Sequence, residues 1–274
     1  MAPLVSVIIT SYNAETYIRA SVRSILTQTF KDIECLVVDD GSTDRTIPYL
    51  NEINDARLRI LQPGRVGRGH ALNVGFQEAQ GKLIAIQDAD DLSHPQRLEI
   101  QTGVMQKNPQ ISVLGSGQKI ISASDSPRSV PFSELRTHQL DNVQNHLFLI
   151  NPISHTSLMV RHQALSEVSG YNEARRNLFD WDLLIRLYER GYPPYKYSAP
   201  LVFKRIHDEQ HFERKKHFYY VKNCLSLQWH AVRRLKLNSF LLLPIVTLFF
   251  YRLLPHRLRM TARRCYGILS EKKA

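Results

Sequence analysis

Cysteine is scarce in this sequence: Cys35, Cys224 and Cys265 are the only three in 274 residues. Their number is odd and their spacing wide, which fits neither a disulfide framework nor a zinc site, so reduced thiols in a cytoplasmic compartment are expected. There is no internal repeat and no low-complexity tract. No apolar run reaches the roughly 20 residues that a bilayer-spanning helix needs. The opening residues carry no basic segment and no small-residue cleavage pattern, and Leu4–Ile9 reads as a buried strand, not a signal peptide. Acidic residues are nearly missing from one region. Residues 204–274 hold 16 Lys and Arg against 4 Asp and Glu, whereas residues 1–203 hold 20 against 21. The net charge of +11 thus resides in the last quarter of the chain. A nucleic-acid enzyme would spread its basic residues around a cleft; a neutral body with a basic tail points that tail at an anionic surface.

What is present is the composition of a globular protein, with 43% apolar and 22% charged residues. The first 120 residues alternate between two periodicities. Apolar runs at Val5–Thr10, Ile33–Val38, Leu58–Leu61 and Lys82–Gln87 read as buried strands. Between them lie helical patterns: Ile18, Val22, Ile25 and Leu26 after a possible Asn13 cap; Ile47 and Leu50; then Ala71, Leu72, Gly75 and Ala79 after the Gly- and Arg-rich loop Gly64–Gly69. Ser93 and Pro95 are expected to open a helix through Leu98, Ile100 and Met105. Repeated strand–helix–strand units imply a mainly parallel sheet with helices on both faces. Beyond residue 120 the pattern weakens. Residues 124–131 read as an exposed loop, a helix begins near Asp180 with Trp181, Leu184, Ile185 and Tyr188 on one face, and Leu201–Phe203 is the last expected strand.

The polar motifs fall just beyond strand ends. Thr10-Ser11-Tyr12-Asn13, Asp39-Asp40 and Asp88-Ala89-Asp90-Asp91 each follow an apolar run, on the sheet edge where open α/β folds bind ligands. Carboxylates gathered so closely repel unless a cation or a hydrogen-bonding ligand lies among them. A metal and a polar ligand are therefore expected.

These segments, taken with Asp40-Gly41-Ser42-Thr43-Asp44, Ala79–Gly81 and Phe179-Asp180-Trp181-Asp182, resemble the family 2 glycosyltransferases over roughly residues 3–210. The resemblance implies an α/β fold of the GT-A type, a nucleotide-sugar donor, Mg²⁺ or Mn²⁺, and inversion at the anomeric carbon. Residue by residue, it implies that Thr10, Tyr12 and Asp40 hold the nucleoside, with Asp40 accepting the imide N–H of uracil. Arg68 would lie near the base or diphosphate, Asp88 and Asp90 would form the Asp-x-Asp pair on the metal, with the adjacent Asp91 as the alternative to Asp90, and His207 would close over the diphosphate. Asp180 would be the base that takes the acceptor's proton. The family usually writes this motif Glu-Asp; Phe179 stands in place of the Glu and leaves the aspartate intact. Hard oxygen ligands suit Mg²⁺ or Mn²⁺, which offsets charge developing on the leaving diphosphate.

Plainer roles exist for several of these residues. Asp180 and Asp182 could cap a helix, and Asp182 has Arg186 at i+4 for a surface ion pair. Asp44 is expected to cap the helix after it, His155 to be a buried hydrogen-bonding residue, and Cys35 to belong to the core. In the tail, the apolar stretch Phe240–Tyr251 is interrupted by Thr247 and by Pro244, which would kink it. Arg233, Arg234, Lys236, Arg252, Arg257, Arg259, Arg263 and Arg264 flank it, a pattern expected of an interfacial helix on anionic lipid.

The resulting expectation is a catalytic domain over residues 1–210, with a nucleotide-binding half at about 1–120 and an acceptor half at about 121–210. A basic amphipathic helical tail follows over residues 211–274. The enzyme would move a sugar from a UDP-sugar to a hydroxyl of a lipid-linked, polysaccharide or lipopolysaccharide acceptor, from the cytoplasm, peripherally on the inner face of the membrane, and without a nucleic-acid partner. Two other classes stand beside it. A sugar-nucleotide pyrophosphorylase would need a Gly-rich loop with Arg and Lys after the first strand, which Thr10-Ser11-Tyr12-Asn13 does not supply. A non-catalytic glycan-binding or scaffold protein would have lost its carboxylates, yet Asp40, Asp88, Asp90 and Asp180 are all present.

Overall fold

The computed structural model describes residues 2–125, 139–207, 217–235, 238, 240 and 242–253. The apolar runs become strands β1 (Val5–Ser11), β2 (Ile33–Asp39), β3 (Leu58–Leu61) and β4 (Leu83–Asp88). They lie in parallel, in the order β3-β2-β1-β4. β2 is buried at every position, as expected of a strand covered on both faces. Helices α1 (Ile18–Leu26), α2 (Thr46–Asn51) and α3 (Arg68–Glu78) make the crossovers. Ile18, Val22, Ile25 and Leu26 are buried, as their 3.6-residue spacing requires. At Gly75 a Cβ would come within 2.6 Å of Ile8 and 3.0 Å of Val38, so α3 lies against the sheet at a distance only glycine permits.

Beyond β4 the sheet is not parallel. β5 (Leu92–Ser93), α4 (Arg97–Lys107) and β6 (Val113–Ser122) are followed by β7 (Leu140–Asn142), β8 (Met159–Arg161), α5 (His162–Glu167), α6 (Phe179–Glu189) and β9 (Pro194–Ile206). The order continues β4-β8-β6-β9-β5, with β7 also on β9. Among the described residues of this half, only the β6–β9 pairing is parallel. The half built from β1 to β4 is thus parallel, as the repeated strand–helix–strand units imply, while the half beyond it is mixed, and β9 extends well beyond Leu201–Phe203. Ser93 lies in β5, and α4 starts at Arg97, later than expected.

The chain divides into two compact units, Met1–Glu209 and Gln210–Ala274. In the second, α7 (His217–Arg234) packs with α8 (Leu242–Leu253). Val221, Cys224, Leu227 and Ala231 form a buried face on α7. Leu243, Val246 and Phe250 form an exposed apolar stripe on α8 at i, i+3 and i+7. Pro244 sits in the first turn of α8, where no i−4 carbonyl awaits its missing N–H, so the expected kink does not form. Among the described residues no helix is long and apolar enough to cross a membrane. Lys236, Arg257, Arg259, Arg263, Arg264, Cys265 and most of the 124–131 loop lie outside the described residues.

Candidate active site

The register of the sheet assembles the site. Thr10 of β1 pairs with Val38 of β2 on one side and Asp88 of β4 on the other, and Ser11 pairs with Asp39. Three strands therefore end level, and the residues just past them share one edge. Asp39 shapes the turn: its carboxylate accepts from the Ser11 hydroxyl at 3.0 Å and from the Ser42 N–H at 2.8 Å. Asp40 is buried and anchors the Gly64–Gly69 loop. Its Oδ1 accepts the Val66 and Gly67 N–H groups at 2.7 and 2.8 Å, and its Oδ2 pairs with Arg65. The Arg65 guanidinium lies over the Tyr12 ring, 3.5 Å from its centroid. Asn13 does not cap α1. It adopts φ 47°, and its Oδ1 accepts the Thr43 N–H at 2.8 Å, joining the two strand-end loops. Asp44 does sit at the start of α2, accepting the Thr46 N–H at 2.9 Å.

The Asp-rich turn after β4 is held from several sides. Ser21 donates to the Asp88 carbonyl at 2.8 Å, Gln87 to the Asp91 carbonyl at 2.8 Å, and Arg205 to the Asp90 carbonyl at 2.9 Å. Behind it, the fully buried Arg97 bonds Gln87, Ser93, Gln101 and the Ile86 carbonyl. Burial pushes this guanidinium down to about 9, with Asp88 and Asp91 opposing the fall.

Carboxylate oxygens of Asp88, Asp90 and Asp91 lie within 4.8 Å of one another. Burial, and then the charges of Asp88 and Asp90, push the Asp91 carboxyl up to about 8. One Asp91 oxygen accepts the Arg205 N–H at 2.8 Å, while Oδ2 is buried without a hydrogen-bond partner. A hard divalent cation fits this donor set, because it would satisfy the orphaned oxygen and offset three like charges. Asp88 and Asp90 were read from the sequence as its holders, with Asp91 as the alternative to Asp90; the geometry brings all three together.

Around this cluster lie groups of the opposite sign. Arg68, in the first turn of α3, pairs with Asp88, and His207 Nε2 is 2.9 Å from Asp90 Oδ2. Burial opposes the charge of Arg68, but Asp88, and then Asp90 and Asp180, more than offset it and hold the group protonated. Burial likewise raises Asp88, yet Arg68 and the hydrogen bond from His155 outweigh it, leaving the carboxyl well below its ordinary range. His155 is buried as expected, with Nε2 2.9 Å from the Tyr171 hydroxyl and Nδ1 3.5 Å from Asp88. Phe179, where the family has Glu, places its ring against His155 at 5.5 Å and under Arg68 at 5.3 Å.

Asp180 makes no capping bond at the start of α6; the Asp182 N–H goes to the Leu178 carbonyl. Its Oδ2 instead accepts from the Asn151 amide at 2.7 Å. Asp182 departs from the surface-pair expectation. It is buried and clamped by Arg175 at 2.7 Å and Arg186 at 2.8 Å, which leaves it a structural role.

Sequence reading missed Arg65, Asn151 and the His155–Tyr171 contact. Arg65 lies within the recognised loop, but only the fold brings it over Tyr12. Asn151 precedes a proline in an otherwise unmarked segment, and nothing in its neighbourhood points to Asp180.

The arrangement has known counterparts. Residues 6–169 match the model described as Glycosyl transferase family 2. The chain is 33% identical over 244 residues to the putative glycosyltransferase EpsE of Bacillus subtilis, covering 86% of this chain and 84% of that one. It is 28% identical over 233 residues to a chondroitin synthase of Escherichia coli, covering 82% of this chain but 33% of that one. It spans about half, 52%, of another relative, an uncharacterized glycosyltransferase of Haemophilus influenzae. Among solved structures, residues 1–349 of S. aureus TarS in complex with UDP-GlcNAc superpose with a TM-score of 0.65 at 19% identity, covering 92% of this chain and 72% of that one. The mannosyltransferase PcManGT of Pyrobaculum calidifontis, in complex with GDP-Man and Mn²⁺, gives 0.62 at 20% identity, covering 85% and 65%. The structural likenesses establish the GT-A fold, and with the family match and the 33% identity to EpsE they place this chain in glycosyltransferase family 2.

Proposed function

We propose that the protein transfers a sugar, with inversion, from a UDP-sugar to a hydroxyl of a lipid-linked or surface-polysaccharide acceptor, from residues 1–210. The observation that carries the reading is the level ending of β1, β2 and β4, which gathers Thr10, Asp40, Asp88 and Asp90 at one edge, with Arg68 under the influence of Asp180. Tyr12 offers an aromatic face and Asp40 a buried carboxylate, a pair suited to a base with an imide N–H. The relatives lend support: TarS binds UDP-GlcNAc, PcManGT binds GDP-Man with Mn²⁺, and a chondroitin synthase builds a sugar polymer, as their names state.

In this reading Arg68 and His207 face the diphosphate and balance charge as it leaves. Asp180 takes the acceptor hydroxyl's proton as that oxygen attacks the anomeric carbon from the side opposite the leaving group. The new C–O bond forms as the bond to the diphosphate breaks, and the configuration inverts. Asn151 keeps one Asp180 oxygen engaged and fixes the direction of the other. Mg²⁺ or Mn²⁺, held by Asp88 and Asp90 with Asp91 beside them, would supply Lewis-acid stabilisation of the diphosphate. The basic tail, with Leu243, Val246 and Phe250 exposed, is suited to the anionic inner face of a cell membrane, where a lipid-linked acceptor would be met.

A panel of UDP-, GDP- and dTDP-sugars, with and without Mn²⁺, tests the donor. The expected outcome is thermal stabilisation and slow hydrolysis with UDP-sugars alone, dependent on the metal. Stabilisation by another nucleotide, or by none, would contradict the assignment.

A further inference from the structure

Two of the side chains read as nucleoside contacts, Tyr12 and Asp40, are both engaged by a single residue, Arg65. Arg65 covers the face of Tyr12 with its guanidinium and pairs with the one Asp40 oxygen that the loop backbone does not use. A planar cation stacked on an aromatic ring, donating to a carboxylate, has the shape and polarity of a base stacked there with its N–H on Asp40. We infer that Arg65 is a resident occupant of the nucleobase site, displaced when donor binds, and that it then turns its charge to the diphosphate. The inference rests on the nucleotide reading of Tyr12 and Asp40.

The local structure allows such an exchange without moving the loop. Val66 and Gly67 tie the backbone to Asp40 Oδ1, and Gly41, at φ 75°, brings the turn so close that a Cβ would meet the Arg65 backbone at 3.1 Å. The backbone at Arg65 is therefore pinned from two sides. Its side chain is 57% exposed, whereas that of Asp40 is 5% exposed. The carboxylate is the costly group to leave bare, and the arginine is the one free to swing. Arg65 supplies the partner that a buried carboxylate requires. When a base arrives, its N–H takes over that duty, and the released guanidinium finds the nearest strong anion, the diphosphate. A nucleoside without phosphates would displace Arg65 and offer nothing in return. Arg65 would thus make the site respond to nucleoside diphosphates in preference to nucleosides.

Titration calorimetry on the full chain with uridine and with UDP, each with Mn²⁺ present, tests this. Arg65→Ala is expected to bind uridine about tenfold more tightly than the unaltered protein, equivalent to about 1.4 kcal/mol. Its affinity for UDP should be unchanged or lower, so the preference for UDP over uridine falls by about tenfold or more. Arg65→Met, which keeps the apolar stem without the charged fork, should behave in the same way. Equal weakening of both ligands would make Arg65 an ordinary contact and overturn the inference. An unchanged preference, or no detectable uridine binding by Arg65→Ala at millimolar concentration, would do the same. If the unaltered protein binds no UDP, the nucleotide reading falls and takes this inference with it; if it binds UDP and the preference does not change, only the inference is lost.

Discussion

Asp39 and Asp40 are neighbours in the chain with separate partners, and the difference follows from which side of the strand end each leaves. Asp39 closes its own turn through Ser11 and Ser42, while Asp40 reaches across to the loop before α3. Sequence position marks both as strand-end carboxylates but cannot divide these tasks, because Arg65 and Gly67 come near only through the fold. Asp180 shows the same limit: its place in a first helical turn suggests a cap, and only the fold shows that its carboxylate accepts from Asn151 instead. Cys35 is the opposite case. A cysteine inside an apolar strand reads as core, and it is fully buried in β2. Burial first, and then the nearby Asp55 charge, push its thiol up to about 12. Because the folded pKa lies above the solution value, the thiol stays protonated throughout the neutral range and below about pH 12. Alkylation at pH 8 should leave the Cys35 peptide unmodified in the native protein and modify it fully in denaturant; native labelling, read by peptide mass, would contradict this.

Elements were legible where one periodicity holds from end to end. β1 and β2 are nearly continuous apolar runs because both faces of a parallel strand are covered, whereas β3, at the sheet edge, carries Arg59 and is half-buried throughout. β6 and β9 hid behind mixed signals. Gly115 and Gly117 interrupt β6, Pro194 and Pro200 lie within β9, and the register between the two shifts at Ser116 and Gly117. Proline and glycine normally argue against a strand, and here they mark a bulged pairing. α6 was placed correctly, but its anchoring was not. Asp182 joins Arg186 on the same helix to Arg175 in the preceding loop, and Arg186 also donates to the Val168 carbonyl at 2.6 Å. The clamp fixes the angle at which α6 presents Asp180. Asp182→Asn should therefore cost about 1–3 kcal/mol, the range for losing charged hydrogen bonds at a buried site, and not the few tenths of an exposed i,i+4 pair. A chemical-denaturation midpoint would measure it; a change below about 0.5 kcal/mol would return Asp182 to the surface-pair role.

At the scale of the molecule, the charge division legible at residue 204 falls close to the boundary between the two units. The long β9, which ends at Ile206, brings Arg205 and His207, just past that charge division, back to the Asp-rich turn within the first unit. If that region meets membranes, the full chain should co-sediment with vesicles containing anionic lipid and not with neutral ones, and raising salt from 0.05 to about 0.5 M should release much of it as screening shortens. Leu243→Asp with Phe250→Asp should weaken binding further by removing the inserted face; equal binding to neutral vesicles would contradict the electrostatic part. The central claim is that the two halves of the first unit complete one another, with the donor held at the ends of β1, β2 and β4 and the proton taken by Asp180 of α6. The most direct measurement is steady-state transfer by Asp180→Asn alongside its affinity for UDP. The account predicts a fall in kcat of about 10²–10⁴-fold with UDP binding nearly unchanged, since the amide keeps the shape and the Asn151 contact but cannot accept a proton. Turnover near that of the unaltered enzyme would contradict it.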